Sequence, residues 1–246
     1  MTREKIKILS SSALKVIAMV CMLFDHAWAT IVPGNMWMTV VGRIAFPIFA
    51  FQLVEGFFHT RDRKVYARRM FRFALVTELP FNLVAGGGWL YPFHQNVLFT
   101  FWLSLLILDR LERSRQRGKL AFGVSLAAWA AVGYLGGTLL MVDYYGYGIL
   151  MVLVFYLARR VSWGWLVQLA GMYYINVEMM KGLVFPVELG SFSFDFPLQG
   201  FALLALIPIW LYNGEKGKYS KVIQPVCYWF YPVHLLILGL LGLYVI

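Results

Sequence analysis

Apolar residues occupy the chain in helix-length blocks, at 13–32, 36–58, 68–86, 95–110, 119–140, 145–158, 161–180, 196–212 and 222–244, with charged, glycine or proline residues between them. Several blocks approach or exceed the ~18–20 residues a helix needs to cross ~30 Å of hydrocarbon. The pattern predicts an all-α fold, a polytopic integral membrane helical bundle of about nine transmembrane helices, with residues 1–246 forming one domain. Ser10, Ser11 and Ser12 supply helix-cap candidates for the first block, and Pro33-Gly34-Asn35 ends it in a turn so short that the first two helices are antiparallel neighbours. In the second block, Pro47 follows Arg43 by four residues, which frees a backbone carbonyl near position 43 and predicts a kink toward the bundle interior. The stretch HTRDRKVYARRMFR reads as a basic loop, and 178–197 as the longest non-helical segment, too polar to cross and suited to a lid or an interfacial piece.

Composition agrees: 61% of residues are hydrophobic and 14% charged, against roughly 25% charged in an average soluble domain. The net charge of +10 invites a nucleic-acid reading, but its distribution excludes one. With the N-terminus inside, 20 of the 22 Lys and Arg residues fall in inner segments, and only Arg43 and Lys181 do not. The inner set includes Arg3, Lys5, Lys7 and Lys15 before or within the first helix, Arg159 and Arg160, and Lys216, Lys218 and Lys221 before the last helix. The positive-inside rule therefore predicts an N-in, C-out multi-pass protein of the cell membrane, whose basic surplus serves topology and attraction to membrane lipid. Cys21 and Cys227 both lie in apolar blocks and read as packing residues rather than a disulfide. A basic start, an apolar run and Ala27-Trp28-Ala29 resemble a signal peptide, but Asp25 and His26 would stand beside the cleavage point, so the segment is read as retained.

Candidate chemistry begins with that pair. An adjacent Asp25 and His26 inside an apolar helix cost several kcal/mol unless they face protein or water and find partners, which marks a functional site. Arg43 lies within the second block, Glu78 and Asn82 stand one turn apart around Pro80, and His234 is buried in the last block. At ~1.5 Å per residue, His26, Arg43, Glu78 and His234 come to similar depths, ~15–20 Å from the inner side. His94 and Asn96 stand at the mouth of the fourth helix, and Asp143 with Tyr145 on an outer turn dense enough in polar and aromatic groups to line a cleft. Plainer readings exist: Asp25 and Arg43 as a structural ion pair, Glu78 as a cap for the kink at Pro80, His234 as a core histidine, and Trp89, Tyr91 and Phe93 as an interfacial belt. No glycine-rich phosphate loop, zinc spacing or GxSxG is present, and no metal is expected.

Two functions fit such a group. In a membrane acyltransferase, His26 removes a proton from an acceptor amine or hydroxyl, or briefly accepts the acyl group, while Arg43 stabilises the oxyanion. In a proton-coupled transporter, the carboxylates and histidine form a relay; transporters of that kind usually carry internal repeats, which this sequence lacks.

The strings LKVIAMVCMLFDHAW, GRIAFPIFAFQLVEGFFHTRDRKVYARRMFRFALVTELPFNLV, QNVLFTF, DYYGYGIL and YWFYPVHLLIL resemble the TraX family, named for the conjugative pilin acetylase. The resemblance covers nearly the whole chain, and the DH, GRIAFP and FYPVHL strings are specific in combination. It implies relatedness to transmembrane acyltransferases and transfer of acetyl from cytoplasmic acetyl-CoA to an acceptor at the outer side: a peptide N-terminus, a glycan or a small molecule. Asp25 and His26 would form the catalytic pair, supported by Arg43, Glu78, Asn82 and His234, and CoA phosphates would meet Arg68, Arg69 and Arg72, whose positions topology alone also accounts for.

Overall fold

The computed structural model describes residues 7–190, 192–217 and 223–244; Arg3, Lys5, Lys218 and Lys221 of the expected inner charges lie outside the described residues. Helix α1 (Ser11–Thr30) opens on Ser10, whose hydroxyl accepts a hydrogen bond from the Ala13 N–H at 3.3 Å, and ends before Pro33 and a left-handed Gly34. The second apolar block is two helices, α2 (Met36–Gly42) and α3 (Ala45–His59), separated by Arg43 and Ile44. Pro47 stands in the first turn of α3 and has no N–H to offer the Arg43 carbonyl, so the rod breaks where that bond would have been.

Helix α4 (Arg63–Gly86) starts from Asp62, whose carboxylate accepts from the Val65 N–H at 2.9 Å, and stops at a left-handed Gly87. The basic stretch expected as a loop is therefore mostly helix, and Arg68, Arg69 and Arg72 are exposed positions on it. Helices α5 (Val97–Arg115), α6 (Lys119–Leu139), α7 (Tyr145–Ala158) and α8 (Gly164–Tyr173) follow, the last prolonged by a π-helical turn, Tyr174–Met179. The fold is mostly helical as expected, and the departure from an all-α chain is confined to the segment expected to be non-helical. Strands β1 (Val184–Leu189) and β2 (Phe192–Pro197) form an antiparallel hairpin in which Val184 faces Pro197. Alternating Phe192, Phe194 and Phe196 suit a strand, Pro186 excludes a helix, and Gly190 supplies a positive φ of 64° near the turn. A 3₁₀ segment (Leu198–Ala205) then runs into α9 (Leu206–Trp210), and α10 (Ile223–Tyr244) completes the described fold.

Helices α3, α5 and α7 supply most of the main core, with Phe57, Leu108, Leu111, Met151 and Tyr156 almost wholly buried. Around it, α10 packs on α1 and α4, α6 on α5 and α7, and α8 on α7. Among the described residues, Ser11–Thr30, Met36–His59, Lys119–Leu139 and Pro225–Tyr244 are long and apolar enough to cross a membrane, which makes this a membrane protein. Only 11% of the α6 span is buried in the fold, so its apolar surface faces outward, as lipid requires.

The two ends of the bundle differ. At one, α1 begins, Leu9 and Ser11 donate backbone bonds to Leu211 and Glu215, and Arg159 donates to Glu55 at 2.6 Å while Arg160 pairs with Glu112. This basic end ties α3, α5 and α7 together. The hairpin lies toward the other end, where β2 packs on the π turn and on the 3₁₀ segment.

Candidate active site

Asp25 and His26 lie on the part of α1 that approaches the hairpin end, and their side chains diverge. Asp25 accepts a hydrogen bond from the Thr39 hydroxyl at 2.7 Å, and both its oxygens meet the Arg43 guanidinium. The break between α2 and α3 is what frees Arg43 to turn back toward α1. Gly42 is needed for the approach, because a Cβ there would collide with the Asp25 side chain. On its far side, Arg43 Nη1 points to Gln199 Oε1 at 3.5 Å, Gln199 donates to Asn176 Oδ1 at 3.0 Å, and Asn176 donates to the Met172 carbonyl at 2.8 Å. Thr39 and Asn176 are completely buried. A continuous polar chain thus crosses the bundle from α1 to the π turn of α8, and its mutual bonding offsets the cost of burying these groups.

His26 turns away from Asp25. Its Nδ1 lies 2.7 Å from His234 Nε2, and His234 Nδ1 lies 2.6 Å from the Phe230 carbonyl oxygen. The two imidazoles are nearly parallel, with centroids 5.0 Å apart. His26 lines a cavity of about 480 Å³ together with Asp25, Arg43, His94, Asp143 and Tyr145. The sequence pairs Asp25 with His26 by adjacency; the hydrogen-bonded partner of His26 is instead His234, a residue of α10.

The wall opposite α1 is the turn before α7. Met141, Tyr144 and Tyr145 all have positive φ, at 52°, 60° and 47°, a conformation bulky residues rarely adopt unless their surroundings impose it. Here the surroundings do: Gln95 and the turn exchange backbone bonds, Thr100 donates to the Asp143 carbonyl at 2.6 Å, and Tyr144 stacks on Phe46 at 4.0 Å. The Asp143 carboxylate accepts from the Tyr144 N–H at 3.0 Å and lies 3.4 Å from His94 Nε2. Asp143, as hydrogen-bond acceptor, holds the His94 imidazole above its ordinary proton affinity, against the opposing effect of burial.

Other candidates stand outside the cavity lining. Glu78 accepts from the backbone N–H of Asn96 at 3.2 Å and from its side-chain amide. Asn96 in turn caps α5 through the Leu98 N–H at 3.0 Å and donates to the Ala74 carbonyl at 2.9 Å. Glu78 and Asn96 therefore staple α4 to α5. Asn82 donates to the Trp89 carbonyl at 3.2 Å and anchors the loop. Glu78 thus turns to Asn96 and does not line the cavity that His26 lines. Tyr91 and Phe93, expected at the interface, line the cavity, as do Tyr144, Gln199 and Tyr231. Gln199 and Asn176 were the missed polar supports; each is an isolated amide in an apolar run, and that was their signal.

A second cavity of about 770 Å³ opens toward the basic end. Its wall carries Lys15, Arg69 and Lys216 among apolar and aromatic residues; of the three arginines expected to bind phosphate, Arg69 lines it, while Arg68 and Arg72 do not. Met22, Phe49, Val97 and Tyr231 line both cavities, so the two stand back to back across a thin partition.

The family model described as TraX protein matches residues 10–242. A probable fimbrial assembly protein FimC, serogroup H1, of Dichelobacter nodosus is 34% identical over 116 residues, 40% of this chain and 45% of its own length. Protein TraX of Escherichia coli strain K12 is 31% identical over 151 residues, covering 60% of this chain and 54% of that protein. A further Escherichia coli protein TraX is 32% identical over 151 residues, with 60% and 55% covered. The chain spans about half the length of these curated relatives. No solved structure matches it.

Proposed function

The chain belongs to the TraX family, and from that membership and the paired cavities we propose that it is an integral-membrane acyltransferase, moving acetyl from acetyl-CoA to an amine or hydroxyl acceptor. The observation that carries the reading is the back-to-back arrangement: a roomy chamber with three cations at the basic end adjoins, across four shared side chains, a polar chamber floored by His26 and Arg43. Lys15, Arg69 and Lys216 suit the phosphates of such a donor, and the apolar walls between them and Phe49 suit its slender arm. When bound, acetyl-CoA supplies an acyl group already activated as a thioester.

His26 takes the proton from the acceptor nitrogen or oxygen as that atom attacks the acyl carbon. Arg43, fixed by Asp25 and Thr39, presents guanidinium N–H groups to the charge growing on the carbonyl oxygen. The carbon–sulfur bond breaks as the new bond forms, and the proton held by His26 passes to the departing thiolate. Asp25 is therefore assigned to Arg43 rather than to His26. His94, Asp143 and Tyr145 face the acceptor.

The topology in this reading is N-in, C-out with about nine crossings, the basic end in the cytoplasm and the hairpin outside, supported by the distribution of Lys and Arg. A fimbrial assembly protein among the relatives favours a peptide N-terminus, from a pilin-like subunit, over a glycan or small-molecule acceptor.

The test is release of free thiol from acetyl-CoA by purified protein in detergent or nanodiscs, with and without candidate acceptors. Wild-type protein releases thiol, and His26→Ala loses at least ~10²-fold of that rate while keeping its thermal unfolding profile. Equal turnover by the variant overturns the assignment. Proton-driven solute uptake into proteoliposomes without any thiol release overturns the enzymatic reading itself.

A further inference from the structure

His234 is 6% exposed, does not line the cavity, and both stacks on His26 and shares a hydrogen bond with it. Hydrogen-bond logic fixes where the protons are. A carbonyl oxygen only accepts, so the 2.6 Å contact with Phe230 requires a proton on His234 Nδ1. In a neutral ring the other nitrogen is then an acceptor, and the 2.7 Å contact requires His26 Nδ1 to donate to it. His26 Nε2 is left bare, and among the described residues no protein group bonds to it.

We propose that His234 is the positioning residue of this site: anchored on the Phe230 carbonyl, it holds His26 in the tautomer that turns a free Nε2 lone pair to the cavity. Without that anchor either nitrogen of His26 can carry the proton, and the tautomer with hydrogen on Nε2 offers a donor where a base is required. The Phe230 ring stacks on His234 at 4.6 Å between centroids and fixes its plane. When His26 takes up a proton on Nε2, its Nδ1–H bond to His234 becomes charge-assisted and stronger. A neutral imidazole does this without placing another carboxylate at bilayer depth, where Asp25 is already engaged by Arg43.

The tautomer is independent of the reaction, whereas the consequence for rate rests on the acyl-transfer reading. Ring-nitrogen NMR on protein carrying isotope-labelled histidine reads the tautomer directly, the four histidines being assigned by single substitutions. Wild-type protein is expected to show His26 protonated on Nδ1 and bare on Nε2. His234→Leu removes the acceptor, mixes the His26 tautomers and lowers kcat about 10²-fold with the donor KM unchanged; His234→Gln restores an acceptor oxygen and recovers much of both. A wild-type His26 protonated on Nε2, or a tautomer untouched by His234→Leu, overturns the proposal. The expected tautomer in a protein that transfers no acyl group upholds the positioning role and sinks the acyl-transfer reading instead.

Discussion

Asp25 and Glu78 are both carboxylates set into apolar helices, and both are held by hydrogen-bond donors from a neighbouring segment. Their partners make them different things. Asp25 is bonded by Thr39 and by Arg43, a charged group that lines the same cavity, so the ion pair remains open to a ligand. Glu78 is bonded by the backbone and side chain of Asn96, which is itself fully buried and occupied with capping α5. One carboxylate orients a cation toward empty space, and the other closes a joint between two helices. What separates site from scaffold here is whether the far side of the partner faces a cavity, not the depth or charge of the acid.

Five substitutions press on that difference. The largest effect is expected from Arg43→Lys: a single ammonium cannot hold both Asp25 oxygens, reach Gln199 and still face the acyl oxygen of the proposed reaction, and kcat should fall by about 10²–10³-fold. Glu78→Gln, which keeps an acceptor for Asn96, should leave the rate near wild type; comparable losses in the two variants would erase the distinction. Next, Gly42→Ala forces α2 from α1 through the Asp25 side chain, and a loss of about 1–3 kcal/mol in unfolding free energy is expected together with reduced turnover. Asn96→Ala removes the cap and one bond to Glu78, so stability should drop by about 1–2 kcal/mol with turnover per folded molecule unchanged. A rate defect there would move the α4–α5 joint into the site.

The smallest effect concerns the third carboxylate, Asp143, which both caps a turn and faces the cavity. Its hydrogen bond raises the proton affinity of His94 in the folded chain. The stabilisation from that pair is therefore fully present below about pH 6.5, the value of a free imidazole, and is lost as pH rises through the higher folded value. The difference in thermal midpoint between wild type and Asp143→Asn should shrink as pH is raised above about 6.5. A constant difference would mean that Asp143 serves only as a turn cap.

Much of this was legible in the chain. Helix-length apolar blocks located the helices, and Pro47 located the break that releases Arg43, because both depend on local chemistry. Asp25, His26 and Arg43 stood out because ionisable groups in apolar helices need partners. Which partner each one found was not legible. His234 and Gln199 are 208 and 156 residues away from His26 and Arg43, and such pairings are decided by how helices rotate about their axes, which a one-dimensional depth count does not contain. The hairpin escaped because a short run of alternating phenylalanines is as compatible with a loop over the membrane surface as with two strands until the register is seen.

The wall made of Met22, Phe49, Val97 and Tyr231 has a consequence for bioenergetics. A carrier must rock between two openings to bring cargo across, and a channel must risk leak. In the acyl-transfer reading proposed above, a partition only one layer of side chains thick would let a two-carbon fragment change hands while the bulky remainder of its donor stayed behind, so that the ion gradient across the bilayer need never be breached.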